Sequence, residues 1–454
     1  MRSLHLGVLI VATVCSACAG DDDDDSPTGT RRYCSAPPDV CDIEEASCIE
    51  ALSDLAACER GDHSAPLPDV KLITSAEFAE QLRGAAAEGG LSRTPWDSVL
   101  PKLGLLPEGQ TIVDAEIELA STSVAAFYHL KNKDITIITD SEAEDAEDRT
   151  YVLLHELTHY HQDRAGDIER VADRMGDSLD NHVSANALVE GEAVVNSTRA
   201  MVRIMGRAAQ ELNWTRFFNS MDEKLFSEVS EAAAPLSAAS QFLPYSVGGR
   251  YVAGIWNDYG RERVDVLFDE SPEVFCDWLA DPRLKRGVTL QKALDCGPPV
   301  APAGFVLYEL DSFGAAGAFA LFAATPNAPT SLASSLRNDA FAIYVDEAAV
   351  DTPGEARAIA VWRLRFDSED TAEEAFDYLE RPGLELQQAG RELIIRVSSA
   401  DSITELRGSA LDGCPKLQDL EPVHTHSENS NAALRRLLRG AISGVGTAGS
   451  IVRH

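Results

Sequence analysis

Residues 151–163 read YVLLHELTHYHQD, an apolar run interrupted by two histidines four residues apart and a glutamate directly after the first. On an α-helix, positions i and i+4 lie one above the other, so the imidazoles of His155 and His159 converge on one point in space. Glu156 is rotated about 100° from His155 around the helix axis, where its carboxylate reaches a water at that point without being a ligand itself. Val152, Leu153, Leu154 and Leu157 give the helix enough bulk to be buried. Burying three ionisable groups is costly unless they are paired or hold an ion. The fold around this run must therefore supply a compensating partner, and a bound metal with Glu156 as general base is the arrangement the spacing suits.

A catalytic zinc takes three protein ligands and leaves one position for water, so a third ligand is needed. The longer pattern HExxHxxGxxH does not provide it, because Gln162 and Ala165 stand where it needs Gly and His. Downstream, SANALVEGEAVVNSTRAMVRIMG (184–206) has the periodicity of a buried helix and carries Glu190 and Glu192. Glu190 shares its face with Ala187, Ala193 and Val194, and Glu192 falls about 200° away. Glu190 is thus the better third ligand; a buried salt bridge is the other use for such a carboxylate.

With HELTHYHQD followed by ALVEGEA, residues 100–280 resemble the gluzincins, the zinc metallopeptidases whose third ligand is a glutamate, and in particular exported bacterial proteins with HELxHxxQD and ALxEGxA helices. The resemblance implies Zn²⁺ held by His155, His159 and Glu190, with Glu156 as the general base. It also implies a peptide or protein substrate lying along an edge strand before the metal helix. SVAAFYHL (123–130) and ITIIT (135–139), joined by Lys131 to Asp134, read as a hairpin at that place. Pro244 and Tyr245 open a helical stretch at 242–260; Tyr245 is either a hydrogen-bond donor to the oxyanion or a packing residue. Val194 stands where thermolysin-like members carry a carboxylate four residues after the third ligand, which leaves the outer partner of His155 unassigned.

The formal charge of −35, from 74 acidic against 39 basic residues, excludes nucleic acid as a partner, since phosphate contacts need clustered Lys and Arg. Residues 1–18 have the layout of a secretory signal: Arg2, an apolar stretch from Leu6 to Val14, then small residues. Cys15-Ser16-Ala17-Cys18 resembles a bacterial lipobox, with Cys15 in place of the usual aliphatic, and implies membrane attachment through a lipid on Cys18. Residues 19–32, with five consecutive aspartates, read as a solvated tether. No other stretch is apolar enough to span a bilayer.

Cys34, Cys41, Cys48 and Cys58 crowd into residues 33–62. Their spacing lacks the close CxxC pair of a zinc knuckle, and after export a cap with two disulfides is the better reading, its pairing open. Cys276 with Cys296 is the expected third bridge. Beyond CGPPVAPAG (296–304), the runs FAIYV, IAVWRLRF and LIIRV alternate with helical TAEEAFDYLE. The expected class is therefore α+β: a mainly helical zincin-like core with a small sheet over 63–300, an α+β unit over 301–415, and a polar, amphipathic tail over 416–454. His424 and His426 in that tail read as a solvated loop. Two functions are compatible with this reading. One is an exported, lipid-anchored zinc peptidase; the other is a non-catalytic envelope lipoprotein, stabilised by metal, that serves binding or assembly.

Overall fold

A computed structural model of the chain describes residues 36–62, 66–88, 93–141, 145–174, 178–272, 275–279, 304–350, 352, 354 and 356–399. The first part contains α1 (Ala46–Arg60), β1 (Asp69–Ile73), α2 (Ser75–Glu88), α3 (Trp96–Leu103), α4 (Ile112–Ser123), β2 (Ala126–His129) and β3 (Asp134–Ile138). Then come α5 (Ala146–Arg164), α6 (Asp167–Arg174), α7 (Leu179–Ile204), α8 (Trp214–Glu231) and α9 (Pro235–Leu243). A π-helical turn (Pro244–Gly248) leads into α10 (Gly249–Tyr259), α11 (Arg261–Glu270) and α12 (Cys276–Leu279). The last part has β4 (Phe305–Asp311), α13 (Gly314–Ala323), β5 (Leu336–Asp346), β6 (Ala358–Phe366), α14 (Glu369–Leu379), β7 (Glu385–Ala389) and β8 (Glu392–Ser398). The class is α+β, with most of the helices preceding the larger sheet.

The hairpin read before the metal helix is β2 and β3, antiparallel with Ala126 opposite Ile137. β1 adds to β3 in parallel, giving the order β1-β3-β2 and leaving β2 at an edge. The later strands form an antiparallel sheet in the order β4-β5-β6-β8-β7, in which FAIYV, IAVWRLRF and LIIRV lie in β5, β6 and β8. α14 begins on Ser368, whose hydroxyl accepts from the Thr371 N–H, and covers most of the helix expected at TAEEAFDYLE. Helices and larger sheet share one apolar core, in which Trp96 of α3 stacks on Phe313 and on Phe341 of β5 with ring centroids 5.2 and 5.1 Å apart.

The cysteine-rich segment is part of the core rather than a cap on it. α1 buries Cys48, Leu52, Leu55 and Ala56 against Leu153, Leu154 and Leu157 of α5 and Met201 of α7. Cys41 is bonded to Cys48, and Cys58 is disulfide-bonded as well. Cys276 is a buried thiol rather than half of the expected disulfide, with its sulfur 3.9 Å from the Arg337 carbonyl oxygen. The signal and tether (1–32), Cys34, Cys296, the segment 280–303, Cys414 and the tail with His424 and His426 lie outside the described residues. Among the described residues, no helix is long and apolar enough to cross a membrane.

The helix carrying Glu190 and the π-turn carrying Tyr245 meet backbone to backbone. A Cβ on Gly248 would stand 1.8 Å from the Ala187 carbonyl oxygen, and one on Gly191 would stand 2.4 Å from the Gly248 carbonyl carbon. Only glycine fits at either place, which explains the glycine between the two glutamates of VEGEA. Gly248→Ala should therefore force α7 and the turn apart and lower the stability measured by chemical denaturation by about 1–3 kcal/mol or more. Gly84→Ala in α2, where a Cβ meets nothing within 4 Å, should instead be neutral or stabilising by about 0.5–1 kcal/mol.

Candidate metal centre

α5 starts where Asp145 accepts from the Asp148 N–H, and Glu147 and Asp148 in its first turn favour the positive end of the helix dipole. From Thr150 to Gln162 every residue of α5 is buried, so its polar side chains must find partners inside the protein. α7 starts in the same manner on Ser178, whose hydroxyl accepts from the Asn181 N–H, and is buried without a break from Val183 to Thr198. The two helices pack face to face and enclose the histidine pair between them.

Three atoms converge there. Nε2 of His155 and Nε2 of His159 are 3.1 Å apart, and Oε2 of Glu190 lies 3.0 Å from the first and 3.2 Å from the second. Ligand atoms bound to zinc at about 2.0–2.2 Å in a tetrahedron stand about 3.3 Å from one another. The triangle thus has the dimensions of one face of a zinc coordination shell, and its two imidazoles and one carboxylate are the donors that Zn²⁺ takes. Among the described residues, no other group of three His, Cys, Asp or Glu converges in this way.

The charges point the same way. Burial lowers His155. Burial also pulls His159 down, but the Glu190 carboxylate outweighs it and raises His159 above the usual histidine range. Glu190 is pushed up by burial and held down more strongly by His159 and by the hydrogen bonds from both rings. With protons alone, the site needs a positive charge on His159 to balance Glu190, at the place where a cation would sit between them.

Glu156 is wholly buried, and neither of its carboxylate oxygens has a hydrogen-bond partner. Burial pushes it up to about 8; the Tyr128 N–H on β2 is close enough to oppose that shift but does not complete a hydrogen bond. Leaving a buried carboxylate without a partner costs about 1–3 kcal/mol or more. A hydrated cation at the triangle relieves that cost, since it offers a positive charge and a water to donate. The residues present therefore fit a zinc ion. The ring of Tyr245 stacks on His155, with centroids 5.6 Å apart and planes 18° apart, so it belongs to the wall of the site.

Glu192, two residues further along α7, meets Arg60 at 3.2 Å, Arg261 at 2.9 Å and the Gln162 amide at 2.9 Å. Gln162 in turn lies 2.8 Å from Nδ1 of His159. The motifs of the sequence assign no role to Gln162, Arg60 or Arg261. A usable signal was the placement of Gln162 three residues after His159, where it shares the helix face. Arg60 lies 132 residues from Glu192 and could not be paired with it from the sequence.

No protein-family model, curated protein or solved structure matches this chain.

The geometry predicts about one zinc per chain by metal analysis of protein prepared without chelator. His155→Ala or Glu190→Ala should remove it, each by deleting one corner of the triangle. Full zinc occupancy in both variants would show that the ion sits elsewhere.

Proposed function

We propose that the chain is a zinc-dependent peptidase of gluzincin type with a zincin-like core, exported and held at a membrane by a lipid on Cys18. Its substrate is a peptide or protein. The observation that carries the proposal is Glu156, a buried carboxylate without a partner beside three converging ligand atoms. A purely structural site has no use for such a group and tends to close its fourth position with a protein ligand.

His155, His159 and Glu190 hold the ion. Zinc bound there would supply Lewis acidity, lowering the pKa of a bound water toward neutrality and polarising the scissile carbonyl. Glu156 accepts the water's proton and passes it to the departing amine, its two buried oxygens having no other hydrogen-bond partner. The Tyr245 hydroxyl donates to the oxygen that becomes negative. β2, at the edge of its sheet with the Tyr128 N–H near Glu156, offers a backbone for the substrate to pair with.

A second reading, a non-catalytic lipoprotein whose ion is structural, is favoured by one observation: His155, Glu156, His159 and Glu190 are each at most 2% exposed. Glu156→Gln separates the two. The amide is nearly isosteric and is not a ligand, so the variant should keep zinc while losing about 10² to 10⁴ in peptide turnover. Both quantities are measured on one preparation beside the parent protein. Undiminished turnover in the variant would remove Glu156 from the chemistry, and a zinc-loaded parent inactive on a broad peptide library would favour the structural role.

A further inference from the structure

Gln162 makes three hydrogen bonds, and together they fix its orientation. Its Nε2 donates to the Val189 carbonyl and to Oε2 of Glu192, each at 2.9 Å, and both partners are acceptors. Both amide hydrogens are thereby used, so the oxygen must be the atom facing Nδ1 of His159 at 2.8 Å. An amide oxygen only accepts, so Nδ1 of His159 carries the hydrogen. The other nitrogen, Nε2, is left with its lone pair toward Glu190 and His155 when the ring is neutral.

Glu192 is itself held from two sides. Nε and Nη2 of Arg60, at the end of α1, reach its two oxygens at 3.2 Å, and Nη2 of Arg261, at the start of α11, reaches Oε1 at 2.9 Å. Arg261 also donates from Nε to the Arg60 carbonyl at 2.6 Å, and Arg60 bonds Asp167 at the start of α6. Glu192 is fully buried and Arg60 nearly so. Both oxygens of Glu192 thus face guanidinium groups, which only donate, so Glu192 is an acceptor that cannot turn the Gln162 amide around.

We infer that Gln162 is the positioning residue of the proposed zinc site, fixing which nitrogen of His159 faces the ion, and that Glu192 with Arg60 and Arg261 holds Gln162 in that orientation. This rests on the zinc reading above. A carboxylate or backbone carbonyl commonly orients a metal-bound histidine; here a neutral amide does so, with the carboxylate one bond further out. The amide puts an acceptor on His159 without adding a second negative charge beside Glu190. It also makes α1, α6 and α11, none of which carries a ligand, part of the support for the centre.

The test uses the full mature chain, Zn²⁺ alone as the ligand, and competition with a chromophoric chelator to read affinity. Gln162→Met is close in volume and removes all three hydrogen bonds. It should bind zinc about 10- to 100-fold more weakly than the parent, and the visible absorption of the cobalt-loaded protein should shift because the His159 donor has changed. Glu192→Gln should weaken zinc binding in the same direction although Glu192 touches no ligand atom. The double variant should be no weaker than Gln162→Met alone, since both act through one bond. If the network only ties helices together, both substitutions lower the denaturation midpoint of the metal-free protein and leave zinc affinity and the cobalt spectrum unchanged. Parent-like zinc affinity and spectrum in Gln162→Met would overturn the inference and leave the zinc reading intact. A parent that takes up no zinc would overturn the zinc reading and the inference with it. Should Glu192→Gln fail to fold, Gln162→Met decides alone.

Discussion

Between α5 and α7 the protein buries four ionisable side chains, His155, Glu156, His159 and Glu190, with at most 2% of any of them exposed. Water does not solvate them, so their charges must be balanced from within. Protons can balance the triangle, at the cost of a charged His159 against a charged Glu190, but they leave both oxygens of Glu156 without a partner. A divalent cation carrying a water would settle both demands at once, which is the ground on which zinc is proposed there.

Much of the rest of the fold serves that requirement. α7 approaches the Tyr245 turn so closely that Gly191 and Gly248 admit no side chain, and this contact sets Glu190 and the Tyr245 ring around His155. Beside it, the Arg60–Glu192–Arg261 cluster joins the ends of α1 and α11 to α7 and, through Gln162, to α5. A buried ion pair is weak evidence of stability in itself, because desolvation offsets much of the attraction. Its use here is orientation, since it clamps the one carboxylate that Gln162 leans on.

The parts legible in the sequence were those written in local patterns. The four-residue spacing of His155 and His159 specifies a shared helix face, and counting 100° per residue separates Glu190 from Glu192; the structure places Glu190 beside the histidines and Glu192 against Arg60, Arg261 and Gln162. The β2–β3 hairpin was readable from alternation and its turn residues. The π-turn at 244–248 was not, because one extra residue rotates the apolar stripe by about 100°, and a stretch buried on nearly every side has no stripe in which that shift shows. Nor was the place of α1: its cysteines drew attention to disulfides, whereas Leu52, Leu55 and Ala56 at helical spacing were the signal that it joins the core. Arg60 meets Glu192 only through tertiary packing, and no local pattern encodes a contact across 132 residues.

We propose that one zinc ion is held by two imidazoles and a carboxylate with room left for water. X-ray absorption at the zinc edge of the loaded protein tests it most directly. The expected result is four or five nitrogen and oxygen neighbours at about 2.0–2.2 Å, the outer-shell pattern of two imidazoles, and no sulfur. A sulfur shell at about 2.3 Å, or a shell without imidazole, would place the ion away from His155, His159 and Glu190 and contradict the account.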